Sequence, residues 1–126
     1  MRKVTKTICK AFIEGKPARM KRTYTDGTHL YLHEHQIAWW DAEARAKGKR
    51  VLHLCCCGYA TVTTKERLNG LLRMLGFGAQ YFTSNYELFF GSKLRPVDPY
   101  ETITIDVDLM LEVMNDNTTT PKQIAA

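Results

Sequence analysis

One feature constrains the fold more than any other: Leu68, Leu71, Leu72 and Leu75 recur at i, i+3, i+4 and i+7 behind Thr63-Thr64-Lys65-Glu66, and Gly76 follows the last of them. That spacing puts four leucines on one stripe of a helix over 63–75 and requires a second apolar surface to cover it. Thr63 is the expected N-cap and Glu66 the returning partner of a capping box, which satisfies two backbone donors at the helix start. Gly76 is the expected stop. Gly70 inside the helix costs about 1 kcal/mol relative to alanine, so a close backbone contact is expected there.

The partner surface is readable upstream. Val4, Ile8 and Phe12, with Cys9 and Ile13 beside them, predict a short amphipathic helix over 3–14, stopped by Gly15 and Pro17, with Lys3, Lys6 and Lys10 on its other side. From Met20 the period shifts towards alternation. Arg22 to Thr25 and Leu30 to His33 predict a hairpin about Asp26-Gly27, a pair that accepts the positive φ of a tight turn. If the second strand runs straight, Leu30 and Leu32 share one face and His29, Tyr31, His33 and His35 the other. A turn near Glu34-His35 leads into a strand from Gln36 to Asp41, with Ile37 and Trp39 on one face and Ala38 and Trp40 on the other. Apolar character on both faces marks a central strand, or one covered by a helix.

Ala42 to Lys49 is expected as a loop whose alanines can support a helical turn. Val51 to Cys57 reads as the next strand, with Val51, His53, Cys55 and Cys57 opposite Leu52, Leu54 and Cys56. Gln80 to Thr83 and Tyr86 to Phe90 predict a second hairpin about Ser84-Asn85, and Thr102 to Val107 alternates as a half-buried strand does. Leu109 to Met114 is expected as a closing helical turn, and 115–126 as a disordered tail. The fold class is therefore α+β: one domain over 1–114, with an N-terminal helix and an antiparallel sheet of about five or six strands packed on the 63–75 helix.

A chain of 126 residues buries roughly two thirds of its unfolded surface and needs no metal or disulfide staple. Cys9 and the run Cys55-Cys56-Cys57 make a poor disulfide framework, because neighbours on a strand point to opposite faces. Reduced thiols in a cytosol are expected. No apolar run approaches the roughly 18 residues of a membrane span, and the basic start lacks the apolar stretch of a signal peptide.

The formal charge is +5, and it is uneven. The first 22 residues hold eight cations against Glu14, whereas the segment from Asp98 onward is acidic. Clustered cations attract nucleic acid or acidic proteins. The candidate binding set is Lys16, Arg19, Lys21, Arg22, Arg45, Lys47, Lys49 and Arg50, with Trp39 and Trp40, and with Tyr24 and Tyr31 as further stacking rings if exposed. Adjacent tryptophans face opposite ways on a strand, so at least one belongs to the core.

No motif with a catalytic mechanism is present: no P-loop, dinucleotide fingerprint or nucleophile elbow. A zinc site is suggested by His29, His33, His35 and the alternating His53-Leu54-Cys55-Cys56-Cys57, but at about 3.3 Å per residue His53 and Cys57 stand roughly 13 Å apart, and no C-x-x-C or H-E-x-x-H spacing accompanies them. Asp106 and Asp108, on one side of a strand, read as a solvated acidic face. The expectation is a protein without enzymatic activity, metal or cofactor.

Ala11-Phe12-Ile13-Glu14-Gly15-Lys16, Thr25-Asp26-Gly27, Leu30-Tyr31-Leu32-His33, Ile37-Ala38 and Thr61-Val62-Thr63-Thr64-Lys65-Glu66-Arg67-Leu68-Asn69-Gly70-Leu71 together resemble a family of small, uncharacterised bacteriophage proteins, over about residues 4–75. The chain departs from that pattern by the insertion Ala42 to Lys49, the cysteine run and the acidic extension after Pro96. The family brings no assigned activity and no functional residues. The resemblance implies a phage accessory protein in the cytoplasm of an infected bacterium, with a host or phage protein complex as its partner and nucleic acid as the alternative. Tyr, Trp and Arg, which dominate interface hot spots, suit such a binder.

Overall fold

A computed structural model describes residues 1–109 of the chain. The helix α1 (Lys3–Glu14) is followed by β1 (Ala18–Met20), β2 (Thr23–Thr25), β3 (His29–Leu32), β4 (His35–Trp40), α2 (Ala42–Ala46) and β5 (Val51–Leu54). Then come α3 (Val62–Met74), β6 (Tyr81–Ser84), β7 (Glu87–Phe90), β8 (Ser92–Pro96) and β9 (Ile103–Asp106). The main sheet has the order β1-β2-β3-β4-β5-β9, every pair antiparallel, and β6-β7-β8 form a second, three-stranded sheet. The domain is α+β, as its sequence predicts. The expected closing turn beyond Leu109 and the tail over 115–126 lie outside the described residues.

Both long helices cover one face of the main sheet. Ile8 and Phe12 of α1 and Leu68, Leu71 and Leu72 of α3 are fully buried, with Leu30, Ile37, Ala38, Leu52 and Leu54 beneath them. Helix α1 ends where Gly15 takes a left-handed conformation and its N–H turns back to the last carbonyls. The helices cross tightly at Gly70, where any Cβ would collide with the Thr5 methyl. Asn69 docks the small sheet by bonding the Tyr81 backbone twice, its amide donating to the carbonyl at 2.9 Å and its Oδ1 accepting from the N–H at 2.8 Å.

Several local expectations are corrected. The N-cap of α3 is Thr61, whose Oγ1 accepts from the Thr64 N–H at 3.1 Å. Glu66 does not close a capping box from Thr63, because its carboxylate is held by the Thr5 hydroxyl and the Arg67 guanidinium. In β4, Ile37 and Ala38 both face the helices: Leu30 pairs with Ala38 and Tyr31 with Gln36, so Ile37 is the extra residue of a bulge. Past the bulge Trp39 faces outward and Trp40 inward.

The β3–β4 turn falls on His33-Glu34, both at positive φ, so His33 and His35 leave the face that carries His29 and Tyr31. Strand β5 stops at Leu54, whose partner Ile103 is the first residue of β9. Cys55 to Cys57 form the exit from the sheet, with Cys57 at positive φ. Ala42–Ala46 is a helix rather than a loop, capped by Asp41, whose carboxylate accepts from the Ala44 N–H at 2.9 Å. The β6–β7 turn is Asn85-Tyr86. Strands β1 and β8 were not expected; β1 is three residues long, with the exposed Arg19 at its centre. Asp108 lies past the end of β9 and pairs with Arg50, so it does not share a strand face with Asp106. Among the described residues no helix is long and apolar enough to cross a membrane.

Candidate ligand-binding face of the sheet

The sheet face opposite α1 and α3 carries an aromatic ladder. Its register follows from the strand pairs Arg19↔Tyr24, Tyr24↔Tyr31, His29↔Trp39, Trp39↔His53 and His53↔Thr104, which stand directly opposite one another across five antiparallel junctions. The Arg19 guanidinium lies 4.5 Å from the Tyr24 ring centroid. Tyr24 and Tyr31 stack at 4.8 Å, His29 follows at 6.0 Å from Tyr31, and Trp39 stacks on His53 at 5.3 Å. Alternation in β2, β3 and β5 sends these side chains outward, and the bulge in β4 turns Trp39 the same way. Tyr24, Tyr31, His29, Trp39 and His53 are each half-buried, supported from the side by one another and open from above among the described residues.

Two carboxylates hold the histidines. Asp26 Oδ2 lies 2.9 Å from His29 Nδ1, while its Oδ1 accepts from the backbone N–H groups of Thr28 and His29. Partial burial alone would raise the Asp26 carboxyl, but the hydrogen bonds from His29 and Thr28 outweigh it and hold the group at about 2. Asp41 Oδ1 lies 2.9 Å from His53 Nε2, and His53 Nδ1 lies 2.9 Å from the Thr104 hydroxyl. The hydrogen bond from His53, then that from Ala44, lowers the Asp41 carboxyl. The carboxylates therefore remain ionised and fix the two rings that flank Trp39.

The tryptophans divide between the two roles open to them. Trp40 is 6% exposed and belongs to the core, whereas Trp39 lies on the ladder. The candidate cations fall into two groups at opposite ends of the sheet. Lys21 and Arg22 form the β1–β2 turn near Arg19. Lys16, Arg45, Lys47, Lys49 and Arg50 gather at the other end, where Lys16 pairs with Glu14 at 3.4 Å, Lys47 with Glu43 at 3.7 Å and Arg50 with Asp108 at 2.7 Å. Arg45 donates to the Thr28 hydroxyl at 2.9 Å. Sequence reasoning named Tyr24, Tyr31 and Trp39 as stacking rings but missed Asp26 and Asp41 as the anchors of His29 and His53. The alternation of His29 with Tyr31 was the available signal for the ladder, whereas the Asp41–His53 contact joins two strands and has none.

Three of the four thiols are held away from their nucleophilic form. Burial pushes the Cys9 and Cys56 thiols up to about 12 and Cys57 to about 11, away from the thiolate that attacks. All four are free. Among the described residues no three His, Cys, Asp or Glu side chains converge to hold a metal ion.

No curated protein and no solved structure matches the chain. The family model described as Kyanoviridae Gp96 protein matches residues 1–108, and the chain belongs to that bacteriophage protein family.

Proposed function

We propose that this phage protein is a non-catalytic accessory protein, acting in the cytoplasm of the infected host, whose open sheet face binds single-stranded nucleic acid. The observation that carries the reading is the ladder: an arginine, two stacked tyrosines, a tryptophan and two imidazoles in register on a sheet face that no helix covers among the described residues. Unpaired bases stack on aromatic rings at roughly 1–3 kcal/mol each, largely independent of sequence. A formal charge of +5 supplies the attraction to phosphates.

Fluorescence anisotropy with labelled oligothymidylate and oligouridylate tests the reading. Binding should weaken steeply with salt, and Tyr31→Ala or Trp39→Ala should each weaken it about tenfold or more. A pure protein that binds neither oligonucleotide at low salt refutes it.

A second reading, an inhibitor-type binder of a host or defence protein, is favoured by a different surface. Tyr86 and Leu94, on the small sheet, are 105% and 94% exposed, and large exposed apolar side chains suit an interface. Pull-down from infected cells separates the two: a protein partner lost on Tyr86→Ala with Leu94→Ser, but retained in the ladder variants, supports the second reading.

A further inference from the structure

A groove of about 400 Å³ runs between the start of α1, the β1–β2 turn and α3, bordered by Arg2, Lys21, Arg22, His33 and Thr63 with Arg67 on its floor. Arg67 is 6% exposed. Its Nε donates to the Thr23 hydroxyl at 3.1 Å, and its Nη1 donates to the Thr5 hydroxyl at 3.0 Å and to the Glu66 carboxylate. These bonds fix the guanidinium plane. Nη2 takes part in no hydrogen bond among the described residues, and Arg67 lines the groove.

The cations around it, Arg2, Lys21 and Arg22, are exposed and form no ion pair among the described residues, whereas the cations at the opposite end of the sheet largely have carboxylate partners. Glu66 is committed to Arg67 and Thr5. Glu34, on the neighbouring turn, is the other acid nearby, and it faces Arg19, Arg22 and Tyr24 rather than Arg67.

Lys21, His33 and Glu34 all have positive φ without being glycine, and the two turns that hold them are tied by the His33 N–H donating to the Arg22 carbonyl at 3.0 Å. Such conformations persist where the surroundings enforce them, and they cluster at ligand clamps. A rigid arginine fork surrounded by exposed cations matches a phosphate group, whose oxygens accept bidentate N–H bonds and whose charge exceeds a carboxylate's.

The geometry points to this groove as a phosphate-binding site, with Arg67 Nη2 as the fixed donor and Arg2, Lys21 and Arg22 as the surrounding charge. Arg22 and His33 also border the depression that holds Arg19 and Tyr24 on the open face, so a strand stacked on the ladder can pass over this rim and place a backbone phosphate on Arg67. For a phosphate from that strand the inference rests on the proposed function; for a phosphate from a free nucleotide it stands alone.

The test follows the arginine Nε–H resonances by NMR while AMP, and separately an oligothymidylate of about twelve nucleotides, is added. The Arg67 signal should shift and saturate with at least one probe. Lys21→Asn with Arg22→Ser, both exposed turn positions, should weaken that probe about tenfold and reduce its salt slope by about one to two. Arg2→Ser gives an independent check from another element. Tyr31→Ala should weaken the oligonucleotide and leave its salt slope unchanged. Shifts with the oligonucleotide place the strand in the groove. Shifts with AMP alone uphold the groove as a site for a free nucleotide and refute the passage of a ladder-bound strand over it. An Arg67 signal unmoved by both probes overturns the groove, and so does a shifting probe whose affinity the turn variants leave unchanged; the ladder is judged separately, by the loss of oligonucleotide affinity in Tyr31→Ala.

Discussion

The Trp40 indole lies over the Phe12 ring at 5.1 Å with the planes 9° apart, and its N–H donates to the Phe12 carbonyl at 3.2 Å. This pair pins the C-terminal end of α1 to the middle of the sheet and satisfies the one polar atom that the buried indole carries. Trp39, one residue earlier, points to the opposite face and packs on His53. Trp40→Ala should therefore cost about 3–5 kcal/mol of stability, while Trp39→Ala should cost far less and reduce ligand binding. Urea unfolding of both variants decides this; equal losses of stability would show that Trp39 is also core.

The Gly70–Thr5 crossing makes a prediction opposite to helix propensity. Alanine is favoured over glycine by about 1 kcal/mol in a helix interior, yet Gly70→Ala should destabilise, because the added methyl meets Thr5, which is fully buried and cannot move aside. Thr5→Ser removes the obstructing methyl and keeps the hydroxyl that joins Glu66 and Arg67. The double variant should recover most of the loss in a thermal unfolding series. Additive losses would mean that the helices do not meet through this contact.

These two contacts also show what a sequence can and cannot disclose. The leucine stripe of α3, the burial of Phe12 and Ile8, the Asp26-Gly27 turn and the close approach at Gly70 follow from spacing and residue type within one element, and all were legible. The α3 cap was misplaced because three of the four residues from Thr61 to Thr64 are threonines; the choice depends on Glu66, which Arg67 and Thr5 claim from another part of the chain. The bulge at Ile37 was invisible because register is a property of two strands, and one extra residue reverses which side chains face the core. The ladder was half legible: β3 alternation marks Tyr31 and His29, but its continuation through Trp39 to His53 requires the bulge.

The Asp26 carboxyl, depressed from its ordinary value near 3.8 to about 2, gives the protein an acid-sensitive turn. A group held more acidic in the folded state stabilises it above the unfolded value and loses that contribution as the pH falls through the folded one. Asp41 and Asp108 are shifted in the same direction by His53 and Arg50. The melting temperature should fall between about pH 4 and pH 2, and Asp26→Asn, which keeps an acceptor for the Thr28 and His29 N–H groups, should make that fall shallower. An identical acid profile for the variant would show that the Asp26–His29 contact does not persist in solution.

The thiols provide a measure of the core that is independent of any ligand. Cys9 is sealed between α1 and α3, its Sγ bonded to the Arg67 carbonyl at 3.7 Å, and Cys56 lies in the core that joins the two sheets. Burial keeps both protonated well above neutral pH, so reaction with an aromatic disulfide reagent requires opening of the fold. Cys57 is half-buried, with its Sγ on the Gln36 carbonyl at 3.0 Å, and should be the first to react, slowly. At pH 7 the native protein should therefore leave Cys9 and Cys56 unmodified on the timescale in which denatured protein releases four equivalents of chromophore. Destabilising variants such as Trp40→Ala should accelerate their labelling in proportion to the stability lost. Rapid native labelling of Cys56, confirmed by peptide mapping, would contradict the packing of the β5 exit against α3 and would reopen the cysteine run as a reactive site.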